Sequence, residues 1–136
     1  MCLFVEKEFI AQEPITAYKL IESECKAYPY IKGDVSLFRL CPITYDEETT
    51  SEITHYDSGN MPVIERGLHL FVHIEHALNI IKGCPNFHVI ECIIPKGTHV
   101  YEGFTGGMHF NHGSWQYVPS YAVNRVIYKQ GYLDEQ

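Results

Sequence analysis

The sequence has no run of lysine or arginine, no cysteine pair at CxxC spacing, no apolar stretch of membrane-spanning length, and a single tryptophan. Each shortage excludes something. A nucleic-acid backbone is polyanionic and is normally met by a basic field. Here 10 basic residues face 17 acidic ones, for a formal charge of −7. Duplex nucleic acid is therefore not an expected partner, although a local pocket can still hold a small nucleotide. The five cysteines, Cys2, Cys25, Cys41, Cys84 and Cys92, are odd in number. Free thiols in a reducing compartment fit that count better than an oxidised scaffold, so a cytoplasmic location is expected. The opening apolar run, Cys2 to Val5, is too short for a signal-peptide core, and no segment is long enough to span a bilayer.

Several catalytic signatures are also missing. There is no HExxH, because Glu75 is not placed for it, and no GxSxG, P-loop or GxGxxG. Gly103-Phe104-Thr105-Gly106-Gly107 is glycine-rich but lacks the spacing and the following helix. No cofactor is expected.

What is present is a well-stocked core. The 136 residues are 46% hydrophobic and 13% aromatic, with ten Tyr and seven Phe. That is enough to bury a core without disulfide or metal staples. No repeat, low-complexity tract or linker divides the chain, so one domain over residues 1–136 is expected. Ile15–Ile21 reads as a strand, as does Leu37–Tyr45, with Pro42 forcing an edge or a break. Asp46–Asn60 is acidic and polar and reads as a long loop or flap.

Gly67–Lys82 admits two readings. As one helix it has an apolar stripe, with His69, His73 and His76 together on the other face. As a strand to about His73 followed by a helix, the helix begins near Ile74 and stops at Gly83 and Pro85. Its Val, Phe and Leu content favours strand-then-helix. Phe87–Pro95 is apolar on both faces and reads as a central strand. Pro95–Thr98 is a turn, after which Thr98–Tyr101 pairs back as a hairpin or continues past a bulge. Thr105–Ser114 reads as a flexible Gly/His loop, and Tyr117–Tyr128 as one or two strands. The expected fold class is α+β: a mixed or mostly antiparallel sheet of five to seven strands with one or two helices.

Candidate site residues follow from chemistry out of place. Glu91 is a carboxylate in the apolar strand Phe87–Ile94, costly unless paired and sometimes an acid or base. Arg39, between Phe38 and Leu40, is placed to grip a phosphate or carboxylate, or to pair structurally with Glu91. His73, His76, His109 and His112 are weak metal candidates, the plainer reading being exposed imidazoles on a helix and a loop. Cys41 and Cys92 lie in apolar strands, where thiols are usually inert. His69, Tyr101 and Trp115 complete the ligand-binding candidates. Trp115, with Phe110 and several Tyr, is also a candidate protein-contact anchor.

Met1-Cys2-Leu3, Tyr18-Lys19-Leu20, Gly67-Leu68-His69-Leu70-Phe71, Cys92-Ile93-Ile94-Pro95-Lys96-Gly97-Thr98 and Tyr101-Glu102-Gly103 follow one another in an order that resembles a group of short uncharacterised proteins of gut Bacteroidetes and their phages. That resemblance covers most of the chain and implies no activity. More faintly, a strand carrying Arg39, the strand Gly67–Phe71, a helix and Ile94-Pro95-Lys96-Gly97-Thr98 resemble the core of ADP-ribosyltransferases. The resemblance implies an NAD cleft between small sheets, with Arg39 and His69 at the first- and second-strand positions. The last strand should then carry a catalytic Glu, and Tyr121-Ala122-Val123-Asn124 carries none. Three functions are thus expected in order. First is a non-catalytic domain binding a small, nucleotide-like ligand. Second is a protein-interaction domain. Third is a transferase-like enzyme using Arg39, His69 and Glu91. A two-fold homodimer is compatible with each.

Overall fold

Buried side chains alternate at Leu3 and Val5 and at Val126 and Tyr128, as in strands that carry a core on one face, and run consecutively at His88–Ile90 and His69–Phe71, where both faces are covered. In the computed structural model, which describes residues 3–23, 33–36, 42–59, 61–109 and 115–135, these segments form one curled sheet. Its strands are β1 (Leu3–Ile10), β2 (Ile15–Glu22), β3 (Val35–Ser36), β4 (Glu48–Thr50), β5 (Thr54–Ser58) and β6 (Met61–Arg66). They continue as β7 (Leu68–Phe71), β8 (Phe87–Ile94), β9 (His99–His109), β10 (Trp115–Val123) and β11 (Arg125–Tyr132). One helix, α1 (Ile74–Ile81), follows β7, and a 3-10 turn, Leu133–Glu135, follows β11. The sheet order is β4-β11-β8-β2-β7-β10-β9-β1-β6-β5, with β3 on β2, and every strand pair is antiparallel.

The centre of this order is narrow. β2 and β7 meet through one pair, Tyr18 and Phe71. On one side, β8 and β11 build out from β2. On the other, β10 and β9 build out from β7. Yet Ile94 and Val126 from the first side share a core cluster with Val100 and Val123 from the second. Residues so far apart in sheet order can share a cluster only if the sheet curls on itself, giving the half-barrel. Ladder irregularities at Val5/Lys7, Gln116/Val118 and Tyr128/Tyr132 supply local bending. The outer face of β2, β7 and β8 is covered by α1, whose Ala77 and Ile81 pack with Leu20, Phe71 and Val89. An eight-residue helix is marginal alone, so this packing holds it.

The α+β reading with five to seven strands is corrected: the described residues are 63% strand and 10% helix, and form eleven strands. The missed strands include the eight-residue β1 and the six-residue β6 as well as the polar β4 and β5. Asp46–Asn60 is not a loop throughout, since it holds β4 and β5, the strands at the two ends of the sheet. Edge strands need no apolar face and are often polar, so their sequences lack the alternating signal. Thr105–His109 belongs to β9 and not to a loop; residues 110–114 lie outside the described residues, as do 37–41 of the expected strand Leu37–Tyr45. β9 leaves the Pro95–Thr98 turn to pair with β1 and β10, not back onto β8. Gly67–Lys82 is a strand to Phe71 and a helix from Ile74, which separates His69 from His73 and His76. No helix among the described residues is long and apolar enough to cross a membrane.

Candidate functional site

A dense polar network lies where β2 ends, β8 begins and the 3-10 turn Leu133–Glu135 crosses them. The β2–β8 ladder runs to the pair Glu22 and Phe87, and the next residue, Ser23, donates its N–H to Asn86 O at 2.9 Å. That register sets the Ser23 hydroxyl 3.2 Å from His88 Nε2. The other ring nitrogen, Nδ1, is 3.0 Å from Asp134 Oδ2. Asp134 Oδ1 accepts the Val89 N–H at 2.8 Å, and Glu135 Oε1 lies 3.7 Å from His88 Nδ1. The His88 ring stacks on Tyr132 at 3.9 Å with planes 6° apart. His88 is therefore fixed at both nitrogens and on one ring face, and it is only 7% exposed.

Tyr132 links this network to a second. Its hydroxyl donates to Asp34 Oδ1 at 2.9 Å, while the Tyr45 hydroxyl donates to Oδ2 of the same carboxylate. Both phenols are pushed upward in pKa, first by burial and then by the Asp34 acceptor; Tyr132 reaches about 12.

Beside His88 opens a cleft of about 610 Å³ between the C-terminal end of α1, the start of β8 and the 3-10 turn. Leu78, Ile81 and Phe87 give it an apolar wall; His88, Asp134 and Glu135 give it a polar end. Ser23, His88 and Asp134 stand in the order of a nucleophile relay. Such a relay commonly uses the nucleophile's own N–H to hold an oxyanion, and here Ser23 N–H is committed to Asn86 O. An acyl-transfer relay here would need its oxyanion donors from other groups.

The residues that the sequence singles out are dispersed. His69 is buried in β7, its carbonyl accepting a bond from Lys19 Nζ at 3.1 Å. Glu91 sits on β8 opposite Tyr18 of β2, which in turn faces Phe71 of β7. His69 and Glu91 are thus two strands apart, with about 4.8 Å per strand spacing, and offset along the strands as well. Tyr101 lines a separate cleft of about 300 Å³ with Glu8, His55 and Asp57, its ring stacked on His99 at 4.6 Å. His73 and His76 are an edge-to-face pair at 5.6 Å at the start of α1. His109 and Trp115 are paired in register at the β9–β10 ends. Arg39 and His112 lie outside the described residues. Cys92 is buried, and burial pushes its thiol pKa up.

Sequence reasoning passed over His88, Asp134, Glu135 and Ser23. A signal existed for His88, a polar residue between Phe87 and Val89 in the same strand that drew attention to Glu91. Asp134 and Glu135 carried no such signal, since neither interrupts an apolar strand.

No family model, no curated protein and no solved structure matches this chain.

Proposed function

We propose that this protein binds a small ligand in the cleft between α1, β8 and the terminal 3-10 turn. One observation carries the reading: an apolar wall of Leu78, Ile81 and Phe87 ends on the convergent polar atoms of His88, Asp134 and Glu135. Small-molecule sites are typically concave and mostly apolar, with a few fixed polar groups and volumes of roughly 300–1,000 Å³. The charge of the polar end narrows the class. Asp134 and Glu135 stand against one lining cation, Lys82. Placing several phosphates beside two carboxylates is repulsive, so the ligand favoured here has a flat or apolar body and hydroxyl or amine donors. A nucleoside suits the cleft better than its triphosphate.

The test is two-dimensional amide NMR of the full chain titrated with adenosine and, separately, with ATP. Adenosine should shift resonances of Leu78, Phe87, His88 and Glu135, and ATP should bind several-fold more weakly. Shifts confined to the Tyr101 cleft, or ATP binding more tightly, would sink the reading.

A further inference from the structure

We infer that His88, Asp134 and Glu135 form a binding site for one divalent transition-metal ion, with Zn²⁺ the best-fitting species. Among the described residues this is the one group of three His, Cys, Asp or Glu whose ligating atoms all lie within 4.8 Å of one another. An ion about 2.0–2.2 Å from each ligand sets neighbouring ligand atoms roughly 3.0–3.6 Å apart. The separations from His88 Nδ1 are 3.0 Å to Asp134 Oδ2 and 3.7 Å to Glu135 Oε1. Glu135 has a 62% exposed side chain, so it can close the last few tenths of an ångström.

The surroundings are those a metal-binding imidazole needs. Such a ring is oriented by a hydrogen bond from its other nitrogen, and here Nε2 faces Ser23 Oγ at 3.2 Å. The Ser23 hydroxyl has a second acceptor, Asn86 O, at 3.3 Å. The neutral ring therefore has two proton arrangements in this chain. In the first, Ser23 O–H donates to Nε2 and Nδ1–H donates to Asp134. In the second, Ser23 O–H turns to Asn86 O, Nε2–H donates to Ser23, and the bare Nδ1 lone pair faces two carboxylates. The second arrangement is repulsive when empty and complete when a cation sits between the three atoms. Asp134 is ready for it, because Oδ1 is held by Val89 N–H at 2.8 Å and Oδ2 is left for the ion. Between these two tautomers one proton moves from Nδ1 to Nε2.

One imidazole nitrogen and two carboxylate oxygens suit a borderline ion more than Mg²⁺ or Ca²⁺, which prefer oxygen throughout. Three protein ligands leave a position open toward the cleft. The site does not depend on the cleft holding an organic ligand; adenosine titrated into chelator-stripped protein tests that reading separately. His73 and His76, though near one another, have no third ligand close enough among the described residues.

The experiment is calorimetric titration of ZnCl₂ into the tag-free, EDTA-stripped full chain, with long-range ¹H–¹⁵N spectra of the imidazoles. One equivalent should bind, and His88 should pass from the Nδ1–H to the Nε2–H tautomer. Glu135→Gln, exposed and so neutral for folding, should weaken binding at least tenfold. Ser23→Ala should weaken it by roughly tenfold, as loss of an orienting partner does. His76→Ala should leave it unchanged. No stoichiometric binding, binding indifferent to Glu135→Gln, or a His88 tautomer unmoved by Zn²⁺ would each overturn the site.

Discussion

Replacing Gly103 by alanine tests the sheet at its most crowded point. Gly103 lies in β9 opposite Val5, at the place where the β1 register shifts. A Cβ built there would stand 1.8 Å from the Phe4 carbonyl oxygen and 2.8 Å from its carbon. Carbon-to-oxygen contacts in sheets settle near ~3.3 Å, so the two strands must part locally by about 1.5 Å. Both obstacles are backbone, and no side-chain rotation relieves them. Parting β1 from β9 breaks roughly three or four ladder bonds, each worth about 1 kcal/mol net. It also loosens the cluster of Leu3, Val5, Ile64 and Ala122 behind them. The expected loss is about 3–4 kcal/mol, a large share of the ~5–15 kcal/mol typical of a domain. For a chain of this length that lowers Tm by roughly 10–15 °C. Gly83→Ala is the comparison. Its φ is +83° with nothing within 4 Å of a built Cβ, so only the left-handed backbone is penalised, at about 1–2 kcal/mol. Urea unfolding of the three proteins, read as midpoint shifts at constant slope, measures both. A Gly103→Ala protein within about 1 kcal/mol of the parent would refute the close β1–β9 approach.

Two further outcomes follow from buried titratable groups. Tyr45 and Tyr132 are held neutral by burial and by Asp34, so their folded pKa values exceed the ordinary 10.0; the stability this linkage contributes is whole below pH 10 and falls as pH rises toward about 12. Ultraviolet phenolate absorbance should show a late-titrating group of tyrosines coupled to unfolding, and phenols that all titrate near pH 10 with the fold intact would contradict the Asp34 clamp. Burial likewise pushes the Cys92 thiol up, with the Lys19 ammonium opposing it in part; alkylation of native protein at neutral pH should modify Cys84 and spare Cys92, and equal native rates by peptide mass mapping would show β8 to be open.

The legible part of this fold was the part with a strong local pattern. Ile15–Ile21 and Phe87–Ile94 are dense in apolar and β-branched residues and lie side by side near the middle of the sheet. Gly67, Gly83 and Pro85 punctuated the strand-then-helix segment correctly, because backbone geometry alone dictates those stops. The edges were illegible for a physical reason. Glu48–Thr50 and Thr54–Ser58 are held by ladder bonds to β11 and β6, and a backbone bond leaves no mark on side-chain composition.

The candidate site was illegible for a different reason, which also explains why Glu91 drew attention ahead of His88. An odd polar residue in an apolar strand reveals that a partner is needed, not which face has one. Along β8, Glu91 shares its face with Phe87, Val89 and Ile93, while His88 shares the other with Ile90 and Cys92. The partners of His88 come from Ser23 and from Asp134, 65 and 46 residues away. Ser23 arrives because the β2–β8 register pairs Ile21 with His88 and Glu22 with Phe87. Asp134 arrives because β11 leaves β8 just after Tyr132 pairs with Ile90, so the next turn crosses the start of β8. A one-residue slip in either ladder would turn every side chain to the opposite face and dissolve the network. The apolar residues that fix those registers, Ala17, Ile21, Ile90, Cys92 and Tyr128, share one buried cluster. The core therefore does more than stabilise the sheet: by forbidding a slip, it determines which three ligating side chains meet at the cleft.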